Sequence, residues 1–103
     1  MQLKLDVEHF EELQELFIRE TIEQIRFQLI KGGISGTQLR DLTGEIAFSV
    51  ASTVDDNAGI EFDGVAVKPY LTFAAEEDQL IHCGENSCTH ELVASVIDEV
   101  FQG

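Results

Sequence analysis

Hydrophobic side chains recur every three or four residues in the first third of the chain, which predicts one long helix over residues 6–31. One aliphatic stripe follows the helical period: Ile18, Ile22, Ile25 and Leu29. A second apolar group points to another side: Phe10, Leu13 and Phe17. Asp6 is the expected N-cap, and Gly32-Gly33 mark the expected end. A helix with two apolar sides is either sandwiched in its own fold or shared with a second copy, so a homodimer through this helix is one prediction.

The same period returns after the glycine-rich segment 32–36 and predicts a second helix, capped by Thr37 and ending near Val54. Its apolar stripe is Leu39, Leu42, Ile46, Val50 and Val54. Asp55, Asp56 and Asn57 then follow at the negative pole of the helix dipole. This run does not have the ligand spacing of a calcium loop. It favours a solvated helix exit, with a partner-facing patch as the alternative.

The period changes after residue 58 to the alternation that is typical of strands. Residues 59–62 and 65–74 flank Asp63-Gly64, a two-residue hairpin signal, and a second turn at 76–79 leads into residues 80–84. Pro69 cannot donate a ladder hydrogen bond, so its strand is interrupted or lies at an edge. We expect a three-stranded antiparallel meander. Residues 2–5, Q-L-K-L, predict a further short strand before the first helix.

Residues 87–101 return to the helical period and predict a last helix that lies on the sheet. Its apolar stripe is Leu92, Val93, Val96, Ile97, Val100 and Phe101. The predicted order is therefore α-α-β-β-β-α, a two-layer α+β fold. With 103 residues, the chain is expected to form a single domain over residues 1–103.

Acidic residues dominate the charge, with 20 Asp and Glu against 6 Lys and Arg and a net charge of −14. Such a chain cannot replace the counterions of nucleic acid, and an anionic membrane surface would repel it. It suits a basic protein partner, attracted over long range, although the charge could also serve only to keep the protein in solution. The N-terminus does not resemble a signal peptide and no apolar run is long enough to span a membrane, so we expect a cytoplasmic protein.

The first functional hypothesis is a non-enzymatic protein that docks on a basic protein surface, as an inhibitor, an immunity-type protein or a mimic of nucleic acid. The candidate partner-binding residues lie in the first helix: Glu8, Glu11, Glu12 and Glu15. No serine-histidine-aspartate order, phosphate loop or zincin motif indicates an enzyme, and no cofactor is expected. A purely structural homodimeric subunit is a further alternative.

The segment H-C-G-E-N-S-C-T-H, residues 82–90, raises the hypothesis of a metal- or thiol-dependent protein. Its four candidate ligands are His82, Cys83, Cys88 and His90. Neighbours on a strand face opposite sides, and residues two apart on a helix do not face each other, so the spacing argues against zinc. Nor is Cys-x4-Cys the spacing of a thioredoxin-like pair. The favoured interpretation is architectural, with a turn, a helix cap at Asn86 or Ser87, buried cysteines and an exposed His90.

Overall fold

The computed structural model describes residues 1–102, which form three helices and two small sheets. Gly103, the last residue of the predicted domain, lies outside the described residues. The elements in chain order are β1 Gln2–Leu5, α1 Val7–Lys31, α2 Gly36–Val54, β2 Glu61–Phe62, β3 Val65–Ala66, β4 Phe73–Ala75, β5 Gln79–His82 and α3 Thr89–Val100. The predicted α+β class is confirmed.

The first helix begins and ends where its sequence signals predict. The Asp6 side chain accepts a hydrogen bond from the backbone N–H of His9 at 3.2 Å, so one of the free N–H groups of the first turn is satisfied. Lys31 is the last helical residue, and Gly32 follows as the C-cap. The second helix starts differently, because Ser35 is the N-cap and makes no side-chain cap hydrogen bond, whereas Thr37 was the predicted cap.

The hydrophobic core lies between the three helices. Its buried members come from all three: Ile18, Ile22, Ala47, Ala51, Val93, Val96 and Ile97. Burying a Val or Ile side chain is worth about 1.5–3 kcal/mol, so this cluster is the main support of the fold. The apolar stripe of α3 therefore packs on α1 and α2, whereas the prediction laid it on the sheet.

The second apolar side of α1 is covered by the sheet. Phe10 is fully buried, with its ring centroid 5.2 Å from that of Phe73 on β4. Phe17 makes an edge contact with the same ring at 6.0 Å. The helix is thus sandwiched within its own fold along this part of its length.

The strands form a mixed sheet and a separate hairpin, so the predicted meander is found only in part. β5 pairs antiparallel with β4 on one side and parallel with β1 on the other. β2 and β3 pair alone around Asp63 and Gly64, whose φ angles of 50° and 80° match the predicted hairpin turn. The predicted strand over residues 65–74 is broken between Ala66 and Phe73, around Pro69, which has no N–H for a ladder.

Candidate functional site

The four glutamates predicted to bind a partner lie on one exposed side of α1. The acidic face consists of Glu8, Glu11, Glu12 and Glu15. Their spacing of three and four residues brings them onto neighbouring turns of one helix face. Among residues 1–102, no Lys, Arg or His nitrogen lies within 4.0 Å of these carboxylates. The acidic face therefore presents uncompensated negative charge to solvent.

Basic side chains do not neutralise this face, and the three arginines have partners elsewhere. Arg19 pairs with Glu99, and Arg40 pairs with Asp98, both on α3. The Arg26 guanidinium lies 5.0 Å from the centre of the Phe101 ring. These contacts hold the guanidinium groups beside the helical core, away from the first two turns of α1.

The sharpest departure from the sequence prediction is Asp55, which ends α2 and is only 2% exposed. Its carboxylate accepts hydrogen bonds from the Ser87 hydroxyl at 2.5 Å and the Thr89 hydroxyl at 2.8 Å. It also accepts from the His90 backbone N–H at 2.7 Å and lies 2.5 Å from His90 Nδ1. The predicted solvated helix exit is therefore wrong for Asp55. We call these four residues the Asp55 cluster.

The Asp55 cluster joins the end of α2 to the beginning of α3. The N-cap of α3, Cys88, makes no side-chain cap hydrogen bond, so the predicted capping by Asn86 or Ser87 is not found. Asp55 supplies the negative charge at this helix N-terminus instead, where the dipole favours it. Burial alone would raise the pKa of Asp55, but the hydrogen bonds from Ser87, His90 and Thr89 outweigh it and hold the pKa below its ordinary value.

His90 is not the exposed residue that the sequence predicts. Its side chain is 23% exposed and is oriented by Asp55 through Nδ1. Asn57 Nδ2 lies 3.3 Å from the ring nitrogens, and the Phe48 ring makes an edge contact at a centroid distance of 5.9 Å. The ring of His90, on α3, is therefore held against α2 and the residues that follow it.

The other three residues of the metal or thiol hypothesis each have a different partner. His82 Nδ1 lies 2.9 Å from the Tyr70 hydroxyl, and the Cys83 thiol donates to the carbonyl of Glu85 at 3.1 Å. In the described part of the chain, no three or more His, Cys, Asp or Glu side chains are arranged to hold a metal ion. The structure therefore does not bring the four candidates together.

Both cysteines are free and half-buried, whereas the sequence prediction buried them. The Gln14 side chain brackets Cys88, because its amide N–H donates to the sulfur at 3.4 Å and its oxygen accepts from the Cys88 backbone N–H at 3.1 Å. Burial raises the pKa of the Cys88 thiol, together with the nearby charge of Glu91, against the lowering hydrogen bond from Gln14. A thiol with a raised pKa is a weaker nucleophile at neutral pH.

A groove of about 650 Å³ runs along the junction of α2 and α3, and we call it the α2–α3 groove. Its floor is apolar and consists of Gly44, Val93, Ala94 and Ile97. Its rim is mainly acidic and consists of Arg40, Asp41, Glu45 and Asp98. Phe48 and His90 line it near the Asp55 cluster. The groove thus combines an apolar floor with negative charge, in a size range that suits ligands and anchoring side chains.

Comparisons with known proteins found no match: no family model fits the sequence, and no curated protein or solved structure is significantly similar to it. Within residues 1–102, none of the helices has the length and apolar character that crossing a membrane requires.

The sequence indicates that the four glutamates share one face of a helix, but it indicates neither the Asp55 cluster nor the α2–α3 groove. Asp55 meets Ser87 and His90 across more than thirty residues of chain, and no local pattern records such a contact. The one sequence feature that bears on the Asp55 cluster is the position of Asp55 itself, because an aspartate is unfavourable at the negative end of its own helix, α2. Asp55 is favourable there because the positive end of α3 lies beside it.

Proposed function

We propose that this protein is a small, non-enzymatic binding module that docks on a basic protein surface through the acidic face of α1. The observation that carries the proposal is a set of exposed glutamates with no positive partner among residues 1–102: Glu8, Glu11, Glu12 and Glu15. An inhibitor, an immunity-type protein or a mimic of nucleic acid would act in this way. We place it in the cytoplasm, in keeping with the free thiols of Cys83 and Cys88.

Electrostatic complementarity explains what such a face would contribute. A net charge of −14 attracts a basic partner before contact and speeds the encounter. Charges clustered on one rigid helix then select the orientation of docking, because a misplaced partner leaves its own positive groups unpaired. The interaction should weaken with salt, since the Debye length falls to about 8 Å at physiological ionic strength.

The test neutralises the acidic face in one variant carrying Glu8→Gln, Glu11→Gln, Glu12→Gln and Glu15→Gln. The matched control carries Glu61→Gln, Glu76→Gln, Glu77→Gln and Glu85→Gln, four exposed glutamates that lie outside α1. Both variants lose the same net charge and keep nearly the same shape. Immobilised wild type, variant and control are exposed to host lysate at low and then at high salt, and the retained proteins are identified by mass spectrometry.

The proposal is supported if the wild type and the control retain a basic protein at low salt and release it at high salt. The variant of the acidic face should not retain that protein. Calorimetry with the purified partner should then show at least a tenfold loss of affinity, about 1.4 kcal/mol, for the face variant relative to the control. Equal retention by the two variants, or no salt-sensitive basic protein at all, would overturn the proposal.

A second candidate function is that of a homodimeric structural subunit, which the outer side of α1 favours. Leu16 and Phe27 are each 55% exposed, and Ile30 is 49% exposed. Exposed large apolar side chains on one helix are a common dimer seam. Light scattering at high protein concentration tests this candidate, with Phe27→Ser as the variant that should dissociate a dimer. A monomeric mass for the wild type at physiological salt would remove it.

A further inference from the structure

We propose that the α2–α3 groove is a docking site for a basic amphipathic helix of a partner protein, one that inserts two large apolar side chains between acidic rims. This inference goes beyond the proposed function, because the groove shares no residue with the acidic face on α1. Three observations support it: the shape of the groove, the charge of its rim, and Gly44 in its floor, where neither the backbone nor helix packing requires a glycine.

Gly44 is the first reason to regard the groove as a site. It lies in the middle of α2 with no left-handed backbone angle, so the helix does not require glycine there. A Cβ at this position would lie 4.0 Å from Ile97 Cγ1, which is ordinary contact, so close helix packing does not require glycine either. Glycine inside a helix is destabilising by about 0.5–1 kcal/mol relative to alanine. Because glycine has no side chain, Gly44 makes the floor of the groove deeper at this point.

Charge complementarity indicates the chemistry of the occupant. The rim carries three carboxylates, of which Asp98 is paired with Arg40. Neither Asp41 nor Glu45 has a positive partner within 4.0 Å among the described residues. Both lie on the exposed side of α2 above the apolar floor. A guest with Lys or Arg flanking its apolar side chains would pair with them while it covers the floor.

The dimensions of the groove indicate a helical guest. From Arg40 to Phe48 the groove follows α2 for about 12 Å, at a rise of roughly 1.5 Å per residue. Apolar side chains three or four residues apart on a helix are separated by about 5–6 Å, so two of them fit this length. The exposed Phe48 ring and the half-buried His90 ring lie at one end, and the Arg40–Asp98 pair lies at the other. A short amphipathic helix laid in a groove is an established mode of peptide recognition.

The probe is a synthetic helical peptide built from leucine, lysine and alanine, with two leucines four residues apart and lysines on their flanks. A scrambled peptide of identical composition, with no two leucines three or four apart, measures the purely electrostatic attraction. Binding is followed by fluorescence anisotropy, and amide shifts in an NMR spectrum locate the contact. We expect the patterned peptide to bind at least tenfold more tightly than the scrambled one, with the largest shifts at Gly44 and Ala94.

Variants of the groove connect the binding to its floor and rim. Gly44→Leu places a side chain into the groove and should weaken peptide binding at least tenfold, whereas Gln38→Leu, an exposed α2 position outside the groove, should not. The double variant Asp41→Asn, Glu45→Gln should weaken binding several-fold, and more at low salt than at high salt. The four-glutamine variant of the acidic face should weaken it no more than its matched control does.

The outcomes separate this site from the acidic face. Equal affinity for the patterned and scrambled peptides, or unchanged binding by Gly44→Leu, would overturn the proposal and leave only non-specific attraction to an acidic protein. Loss of binding in the acidic-face variant alone would move the peptide to α1 and overturn the groove site while leaving the proposed function in place. Thermal unfolding of Gly44→Leu excludes a folding defect, and Ala94→Leu, at an exposed position of the groove, provides a second plug if leucine at position 44 is disruptive.

Discussion

Asp55 shows how one buried carboxylate can hold two helices together. Its carboxylate accepts hydrogen bonds from two hydroxyl groups and one backbone N–H, and it lies against an imidazole. These protein groups replace the water that the carboxylate loses on burial. Each hydrogen bond to a charged group contributes about 1.5–3 kcal/mol to the free energy of unfolding. A buried charge without such hydrogen bonds would be strongly destabilising. The cluster is therefore stabilising only as a complete set.

Replacing Asp55 with asparagine tests this cluster directly. The amide removes the negative charge from the N-terminus of α3 and can turn an N–H₂ group toward the Ser87 hydroxyl and the His90 backbone N–H, which both donate to Asp55. We expect Asp55→Asn to lower the free energy of unfolding by about 2–3 kcal/mol, measured by denaturant titration. Asp56→Asn is the matched control, because Asp56 has a φ of 62°, which asparagine tolerates, and should change stability by less than about 0.5 kcal/mol. Equal effects of the two substitutions would contradict the assignment.

The lowered pKa of Asp55 predicts a dependence of stability on pH. A carboxylate whose pKa is lower in the folded state stabilises the protein above its unfolded pKa, about 3.9, and loses that contribution as the pH falls through the folded value. The difference in unfolding free energy between wild type and Asp55→Asn should therefore shrink as the pH falls below about 4. Titrations at several pH values measure it, and a difference that grows on acidification would contradict the cluster.

At the scale of elements, the helices were predictable and the arrangement of strands was not. The spacing of Ile18 and Ile22, or of Val93 and Ile97, records a buried face within the element itself. The turn signals at Asp63-Gly64 and at residues 76–79 indicated which neighbouring strands pair locally, but a strand of four residues carries no record of a partner distant in sequence. The pairing of β1 with β5 joins residues 2–5 to residues 79–82, and only the folded chain brings them side by side.

The two glycines Gly44 and Gly84 should respond oppositely to alanine. Gly44 has room for a Cβ and a helical backbone, so Gly44→Ala should raise the free energy of unfolding by about 0.5–1 kcal/mol. Gly84 has a φ of 85° and a Cβ there would lie 3.4 Å from Leu5 Cδ1, so Gly84→Ala should lower stability by about 1–2 kcal/mol. Chemical unfolding measures both. A destabilised Gly44→Ala would mean that α2 and α3 need this glycine for packing, which would weaken the case for the groove.

At the scale of the whole molecule, both candidate binding surfaces carry unpaired acid. In the part of the chain that the structure describes, the acidic face has no positive partner, and neither do two of the three rim carboxylates of the α2–α3 groove. Acid on two separate surfaces suits a partner with an extended basic region, or two basic partners. The composition predicted the sign of this charge, but the location of the groove depended on how α2 packs on α3.

The same charge should make the free protein sensitive to salt. Like charges at i and i+4, such as Glu8 with Glu12 and Glu11 with Glu15, are destabilising by about 0.2–0.5 kcal/mol per pair, and the net charge of −14 adds repulsion across the molecule. Raising NaCl from about 0.01 M to about 0.15 M shortens the Debye length from roughly 30 Å to 8 Å. We expect the free energy of unfolding to rise by an amount on the order of 1 kcal/mol, which calorimetry would record as a rise in Tm of about 4–8 °C.

The four-glutamine variant of the acidic face should be stabilised less by salt than its matched control, because its remaining acids are more dispersed. Salt would then stabilise the free protein while it weakens the complex, which is the behaviour expected of charge retained for a partner at the expense of the fold. A Tm that does not rise with salt would show that the acidic face is already compensated in solution.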